Sequence, residues 1–221
     1  NGFTISVWVK FTGSFGGTYL FDNRDSTNTQ RVYLYMNYNN MVYFGVNNRS
    51  IHGRAAPPQN ASFAQGQWYH IAAVYDPNAT FINGRQAADF GRLIINGPNL
   101  STGNSENFIY NSTVSGAITP ALNLTTKNAR IGASALNPNS NESLAQYSNF
   151  AIFDTPLPNT GNQSINSLYN NGAPGDLSNY SNLKAWWKMN VETSNWNGSN
   201  WEIGNSTANY STALDFDQSI P

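Results

Sequence analysis

Apolar and polar residues alternate from the start of the chain. Phe3, Ile5, Val7, Val9 and Phe11 interleave with Thr4, Ser6, Trp8 and Lys10. A period of two sends successive side chains to opposite faces, so 3–11 predicts a half-buried β-strand. Gly13, Gly16 and Gly17 break the pattern, and Tyr19-Leu20-Phe21 predicts a second strand ending in the polar loop 22–27. Runs at 32–36 and 41–46 form a hairpin pattern across Asn37-Tyr38-Asn39-Asn40, because Asn tolerates the positive φ that short hairpin turns demand. Residues 47–67 read as irregular, broken at Pro57-Pro58. Alternation returns at 68–76, and Phe81-Ile82-Asn83-Gly84 carries the Asn-Gly hairpin signal. Residues 90–126 have no clear period. Strand character resumes at 130–133 and 147–153.

The period changes once. Ile165, Leu168 and Tyr169 sit at i, i+3 and i+4, Thr160 and Gln163 have capping-box spacing, and Gly172 with Pro174 supplies a stop. These predict one short helix near 161–171. Strands follow at 183–189, 201–203 and 213–216. About a dozen short strands, Gly/Asn turns and one helix predict an all-β, antiparallel two-sheet sandwich.

Composition narrows the function. The chain has 221 residues, 39% hydrophobic, 14% aromatic and only 10% charged, with a net charge of −1. Such balance argues against nucleic acid as a partner, since phosphate recognition needs a basic surface. No apolar run reaches the ~18 residues of a membrane span, and no basic segment followed by an apolar core opens the chain. The chain begins at Asn1 directly before a strand, as a fragment or processed product would. Cysteine is absent, which excludes disulfides, thiol nucleophiles and Cys-ligated zinc. Asn supplies 35 residues, with a similar number of Ser and Thr combined. A surface kept soluble by amides and hydroxyls suits an extracellular, virion or cell-surface setting better than a cytosolic one, where charge is the usual solution.

Several segments carry a family resemblance. Phe3-Thr4-Ile5-Ser6-Val7-Trp8-Val9-Lys10, Gln67-Trp68-Tyr69-His70-Ile71-Ala72, Phe81-Ile82-Asn83-Gly84, Arg130-Ile131-Gly132-Ala133, Phe150-Ala151-Ile152-Phe153 and Leu168-Tyr169-Asn170-Asn171-Gly172 occur in order. Over about 170 residues the chain resembles the laminin-G-like branch of the concanavalin A-like jelly rolls. The resemblance implies two stacked antiparallel sheets. In ordinary members a Leu-x-x-Trp-Trp strand and an Ala-Leu-x-Phe-Asp strand precede the first of these motifs. Here Leu183-Lys184-Ala185-Trp186-Trp187 and Ala213-Leu214-Asp215-Phe216-Asp217 follow the helix. The expectation is one domain over 1–221, with 176–221 supplying permuted or exchanged strands; the alternative is the opening of a following domain. The tail also resembles the ends of such modules in structural proteins of marine tailed phages.

Candidate chemistry is sparse. Glycoside hydrolysis needs two carboxylates about 5–10 Å apart. Jelly-roll glucanases set Glu, Asp and Glu at alternate positions of one strand, whereas Glu106, Glu142, Glu192 and Glu202 have no acid at i+2. Asp215 and Asp217 do have that spacing, on a strand the resemblance makes structural. His52 and His70 are the only histidines; His70 alternates with apolar residues and reads as a packed, hydrogen-bonded side chain. The loop Asp22-Asn23-x-Asp25 offers hard oxygen ligands for Ca²⁺, and equally the ordinary chemistry of a turn. Sugar binding wants exposed aromatic faces beside amides. Tyr33, Tyr35, Tyr38 and Tyr43, with Asn37, Asn39 and Asn40 at the tip, concentrate both in one hairpin, Tyr33 and Tyr35 sharing a face; the competing role is covering the sheet or a subunit interface. Twelve Asn-x-Ser/Thr sequons, about twice the number random placement gives, lie at Asn48, Asn60, Asn78, Asn99, Asn111, Asn123, Asn141, Asn162, Asn179, Asn197, Asn205 and Asn209. They are glycosylation acceptors on a secreted chain.

Three functions are therefore expected in order. The first is a non-enzymatic virion surface module, of head-decoration or fibre type, that assembles with copies of itself or other surface proteins and binds host glycans. The second is an N-glycosylated subunit of a cell-surface or extracellular filament. The third is a secreted glycan-processing enzyme.

Overall fold

The structure is a computed structural model. It describes residues 2–13, 17–25, 27, 29–38, 41–47, 49–53, 63–77, 91–97, 110–111, 128–136, 144–189, 194–196, 201–203 and 214–216.

The strands are β1 (Phe3–Phe11), β2 (Thr18–Arg24), β3 (Arg31–Met36), β4 (Val42–Val46), β5 (Arg49–Gly53), β6 (Trp68–Tyr75), β7 (Gly91–Asn96), β8 (Tyr110–Asn111), β9 (Asn128–Ile131), β10 (Ala145–Phe153), β11 (Leu183–Trp187), β12 (Ser194–Trp196), β13 (Trp201–Ile203) and β14 (Leu214–Phe216). A five-stranded sheet runs β11-β10-β1-β6-β7, and a six-stranded sheet runs β8-β5-β4-β3-β2-β9. All their pairings are antiparallel. The last three strands pair as β12-β13-β14 in a separate sheet. The two large sheets form the expected jelly-roll sandwich.

Period-two patterning explains the core between them. Ile5, Val7, Val9 and Phe11 of β1 meet Leu34 and Met36 of β3, Phe44 and Val46 of β4, and Ile71 and Ala73 of β6 in one buried cluster. Strands β5 and β7 lie in stretches where the sequence shows no clear period. Asn47, at φ 51°, makes the turn from β4 to β5.

The half-buried expectation for β1 is corrected, because its outer face is buried too. Segment 155–182 crosses the outside of the five-stranded sheet, and α1 (Ile165–Tyr169) lies within it. Ala72, Val74, Ile94, Ala151, Phe153 and Trp186 from the sheet pack with Leu157, Ile165, Leu168 and Leu177 as a second cluster. Trp8 stacks on Tyr169 at 5.7 Å and is 2% exposed. His70 is fully buried between Ser6 Oγ at 2.9 Å and Asn96 Nδ2 at 3.4 Å. Burial disfavours the imidazolium and lowers the His70 pKa to about 3, so the ring is neutral near pH 7.

The helix starts later than its spacing predicts. Ser164 is the N-cap: its hydroxyl accepts from the Ser167 amide while the Ser167 hydroxyl accepts from the Ser164 amide. Gln163 instead accepts from the amide and hydroxyl of Ser181. A Ser pair makes the reciprocal bonds that the sequence assigned to Thr160 and Gln163.

Trp186 and Trp187 face opposite ways, as period two requires. Trp186 joins the outer cluster and Trp187 the inter-sheet core. Both lie on β11, which pairs with β10 through Phe150↔Trp187 and Ala151↔Trp186.

Candidate functional site

The outer face of the six-stranded sheet differs in kind. Backbone register aligns Tyr19 of β2, Tyr35 of β3, Tyr43 of β4 and His52 of β5, with Tyr110 of β8 opposite His52. Directly opposed residues in antiparallel strands share a face, so Tyr19, Tyr35 and Tyr43 form one row across three strands. Tyr19 and Tyr35 have centroids 4.8 Å apart, and Tyr35 and Tyr43 6.5 Å. Tyr19, Tyr35 and Tyr43 are half-buried. Tyr38, at the hairpin tip, is 78% exposed and stands over Gly17, whose φ of 71° and missing side chain make room for the phenol. The Asn37 amide donates to the Tyr43 hydroxyl at 3.3 Å.

A second outward row explains how this platform is held. It runs Arg130, Asp22, Tyr33 and Gly45. The Tyr33 ring lies against Gly45, where any Cβ would collide with it. Arg31 covers Tyr33 at 4.8 Å, and Arg24 covers Tyr19 at 4.6 Å. Arg24 is fixed by Asp22 at 2.7 Å. Burial pushes up the Tyr33 hydroxyl; burial, then the neighbouring phenols Tyr19, Tyr38 and Tyr43, push up Tyr35. These two phenols are neutral near pH 7 and offer hydroxyl donors and acceptors, with no charge.

The sequence-selected sugar residues are only partly gathered. Tyr33 and Tyr35 share the face, and Tyr38 stands at its rim. Tyr33, beneath Arg31 and against Gly45, supports the platform more than it presents a surface. Asn39 lies outside the described residues. Tyr19 was missed, because its short strand follows a Gly-rich break and the β-bulge between Tyr19 and Phe21 upsets the alternation. Its one sequence signal is an aromatic at a strand start.

The calcium candidates are not brought together. Adjacent positions on a strand face opposite ways: Asp22 shares the outward row with Tyr33, and Asn23 pairs with core Val32. The Asp22 carboxylate is fully buried and accepts from Arg24 and from the Ala135 amide at 2.7 Å. Asp25 accepts from Thr27, from Thr29 and from the Gln30 amide. Solvent loss opposes its charge, but these bonds prevail and hold the carboxyl well below the usual range. Both carboxylates are thus engaged by neighbouring donors. Among the described residues no group of three or more His, Asp or Glu is placed to hold a metal ion.

A cleft of about 280 Å³ opens beside β10 and β11, lined by Ser148, Asn149, Gly175, Asp176, Trp186 and Lys188. Asn149 adopts φ 47° at the bulge of β10 opposite β1. Its amide donates to Gly175 O at 2.6 Å and accepts from the Trp186 indole at 3.2 Å. Lys188 sits 4.6 Å above the Trp186 ring. These bonds tie the 173–178 loop to the sheet, and the Trp186 side chain is buried.

Of the sequons, Asn162 and Asn179 are exposed beside α1, and Asn111 lies on β8. Asn48, Asn60, Asn78, Asn99, Asn123, Asn141, Asn197, Asn205 and Asn209 lie outside the described residues. So do Glu106, Glu142 and Glu192, the hairpin signal at 81–84 and most of 90–126. Among the described residues no helix is long and apolar enough to cross a membrane.

A laminin-G-type family model, described as the concanavalin A-like lectin/glucanases superfamily, matches residues 1–160. No curated protein matches the chain significantly. Domains of the matched kind are typically extracellular and generally non-catalytic binding modules, in a superfamily that also includes glycosidases. With the matched segment spanning β1 to β10 and supplying every strand of the two large sheets except β11, the chain belongs to the concanavalin A-like lectin/glucanases superfamily, in its laminin-G-like branch.

Proposed function

We propose that this chain is a non-enzymatic adhesion and structural module of a virion surface, of the head-decoration or fibre kind, that binds host glycan on the outer face of its six-stranded sheet. The tyrosine row Tyr19–Tyr35–Tyr43, rimmed by exposed Tyr38, carries the reading. Aromatic rings receive the C–H faces of sugars while hydroxyls and amides receive their OH groups. Neighbouring strands lie ~4.8 Å apart, close to the length of one pyranose unit, so the row offers one ring per sugar along a short neutral chain. The amide-rich, charge-poor composition and the phage-like tail support the virion setting. Pairing of β11 with β10 supports one sandwich continuing past residue 176, and the β12–β14 sheet is the segment we assign to exchange with a neighbouring copy.

A glycan array probed with the purified chain tests this reading. Binding to neutral oligosaccharides, weakened by Tyr35→Ala, is expected; no binding to any glycan overturns it. Exposure of Asn162 and Asn179 favours the second reading, an N-glycosylated subunit of a cell-surface filament. Intact mass of the natively produced chain decides between them. Hexose-type mass at these two asparagines promotes the filament; a bare mass keeps the virion module.

A further inference from the structure

We propose that Asn171 is a self-modifying site, converted to aspartate and isoaspartate through a succinimide closed by the backbone nitrogen of Gly172. In that step the Gly172 nitrogen bonds to the Asn171 Cγ as the Cγ–Nδ2 bond breaks. The Gly172 amide proton passes to solvent, and the departing amide nitrogen takes a proton from solvent and leaves as ammonia. Water then adds to either ring carbonyl and opens the ring to a carboxylate. No oxidant, reductant or cofactor is needed.

Three structural features place the reaction here. Asn171 and Gly172 are both exposed. Asn170, Asn171 and Gly172 have φ of 44°, 54° and 98° in succession. Asn is among the few non-glycine residues that adopt this left-handed region readily, so the dipeptide sits in an irregular turn after α1 and not in a paired strand. Gly172 also has no Cβ to crowd the attacking nitrogen.

The same chain holds its own control. Asn96-Gly97 is the same dipeptide, but Asn96 is 4% exposed at the end of β7, paired with His70 in the β6–β7 register. Its amide approaches His70 Nδ1 at 3.4 Å, and Gly97 lies beneath the Tyr69 ring. Ring closure requires rotation about the asparagine ψ, which a paired, buried strand forbids until it opens locally. One site is therefore reactive in the native state and the other protected by the fold.

The product matters where it falls. Each event adds one negative charge to a chain of net charge −1. The isoaspartyl form also inserts a methylene into the main chain between α1 and Leu177, which packs in the outer cluster.

The test incubates the full chain, folded and separately in denaturant, at mildly alkaline pH. Peptide mapping by mass spectrometry then quantifies aspartate and isoaspartate at positions 96, 170 and 171. In the folded chain, conversion at Asn171 is expected to exceed that at Asn96 by roughly a hundredfold or more, the factor set by a local opening equilibrium. In denaturant the two should converge. Asn170, followed by Asn171 rather than glycine, should lag in both conditions, and Asn171→Gln should remove the modified peptide. Equal rates at Asn171 and Asn96 in the folded chain, or at Asn171 and Asn170 in denaturant, would overturn the proposal.

Discussion

The two outer faces of the sandwich use the same strand geometry for opposite ends. The five-stranded sheet turns Trp8, His70, Ala72, Phe153 and Trp186 outward, and α1 with its flanking segments buries them. The six-stranded sheet turns outward Tyr19, Tyr35 and Tyr43, half-buried and hydroxylated. The first face gains stability from dry packing. The second keeps aromatic area partly in water, as a ligand platform requires. The difference shows that a strand's outward residues acquire their role from what crosses them.

Substitutions can break that contrast. Phe153→Ala, in the covered face, should cost about 3–5 kcal/mol, read as a lowered denaturation midpoint with an unchanged slope; a loss below about 1 kcal/mol would mean the covering segment packs loosely. His70 makes the same face pH-sensitive. Its folded pKa of about 3 lies below its ordinary 6.5. Above pH 6.5 the imidazole is neutral folded or unfolded and contributes no slope. As pH falls from 6.5 towards 3 only the unfolded chain takes up the proton, so stability declines by about 1.4 kcal/mol per pH unit. Comparison with His70→Gln isolates this contribution, and parallel stability–pH curves for the two proteins would refute it.

The open face should respond the other way round. Tyr35→Ala should change stability by no more than about 1 kcal/mol while lowering affinity for a bound neutral oligosaccharide about tenfold, the value of one aromatic contact. A large stability loss with unaltered binding would assign the tyrosines to packing. The smallest effect sharpens the boundary of the cover. Ser164→Ala removes both the cap of α1 and its bond to Gly161 O, and should cost about 1 kcal/mol. Wild-type stability in that variant would show that tertiary packing alone holds the helix.

Much of the fold was legible because its signals are local. The strands at 3–11, 68–75 and 145–153 announce themselves by alternation or by aromatic and β-branched content, and Ile165, Leu168 and Tyr169 by helical spacing. Strands β5 and β7 were not legible: β5 is short and follows an Asn turn, and β7 reads as a brief apolar run in a stretch without period. The site was half legible. Tyr33 and Tyr35 share a face by arithmetic, but Tyr19 and Tyr43 join Tyr35 only through register between strands. For calcium, composition pointed to Asp22, Asn23 and Asp25, and the fold gave each different surroundings. Asp22 went to Arg24 and the 134–135 loop, Asn23 to the core side and Asp25 to a threonine turn.

By itself the sequence determined the fold class, the faces of the strongly alternating strands, the position of α1 to within a few residues and the resemblance that the family match bears out. These follow from periods of 2 and 3.6 and from turn chemistry, which act over a few bonds. Only the tertiary structure decided which outward face would be covered, that His70 would be neutral between Ser6 and Asn96, that three strands would align one row of tyrosine rings, and that one Asn-Gly pair would be exposed and another locked. Each of these depends on residues tens of positions apart meeting, and no local pattern encodes that meeting.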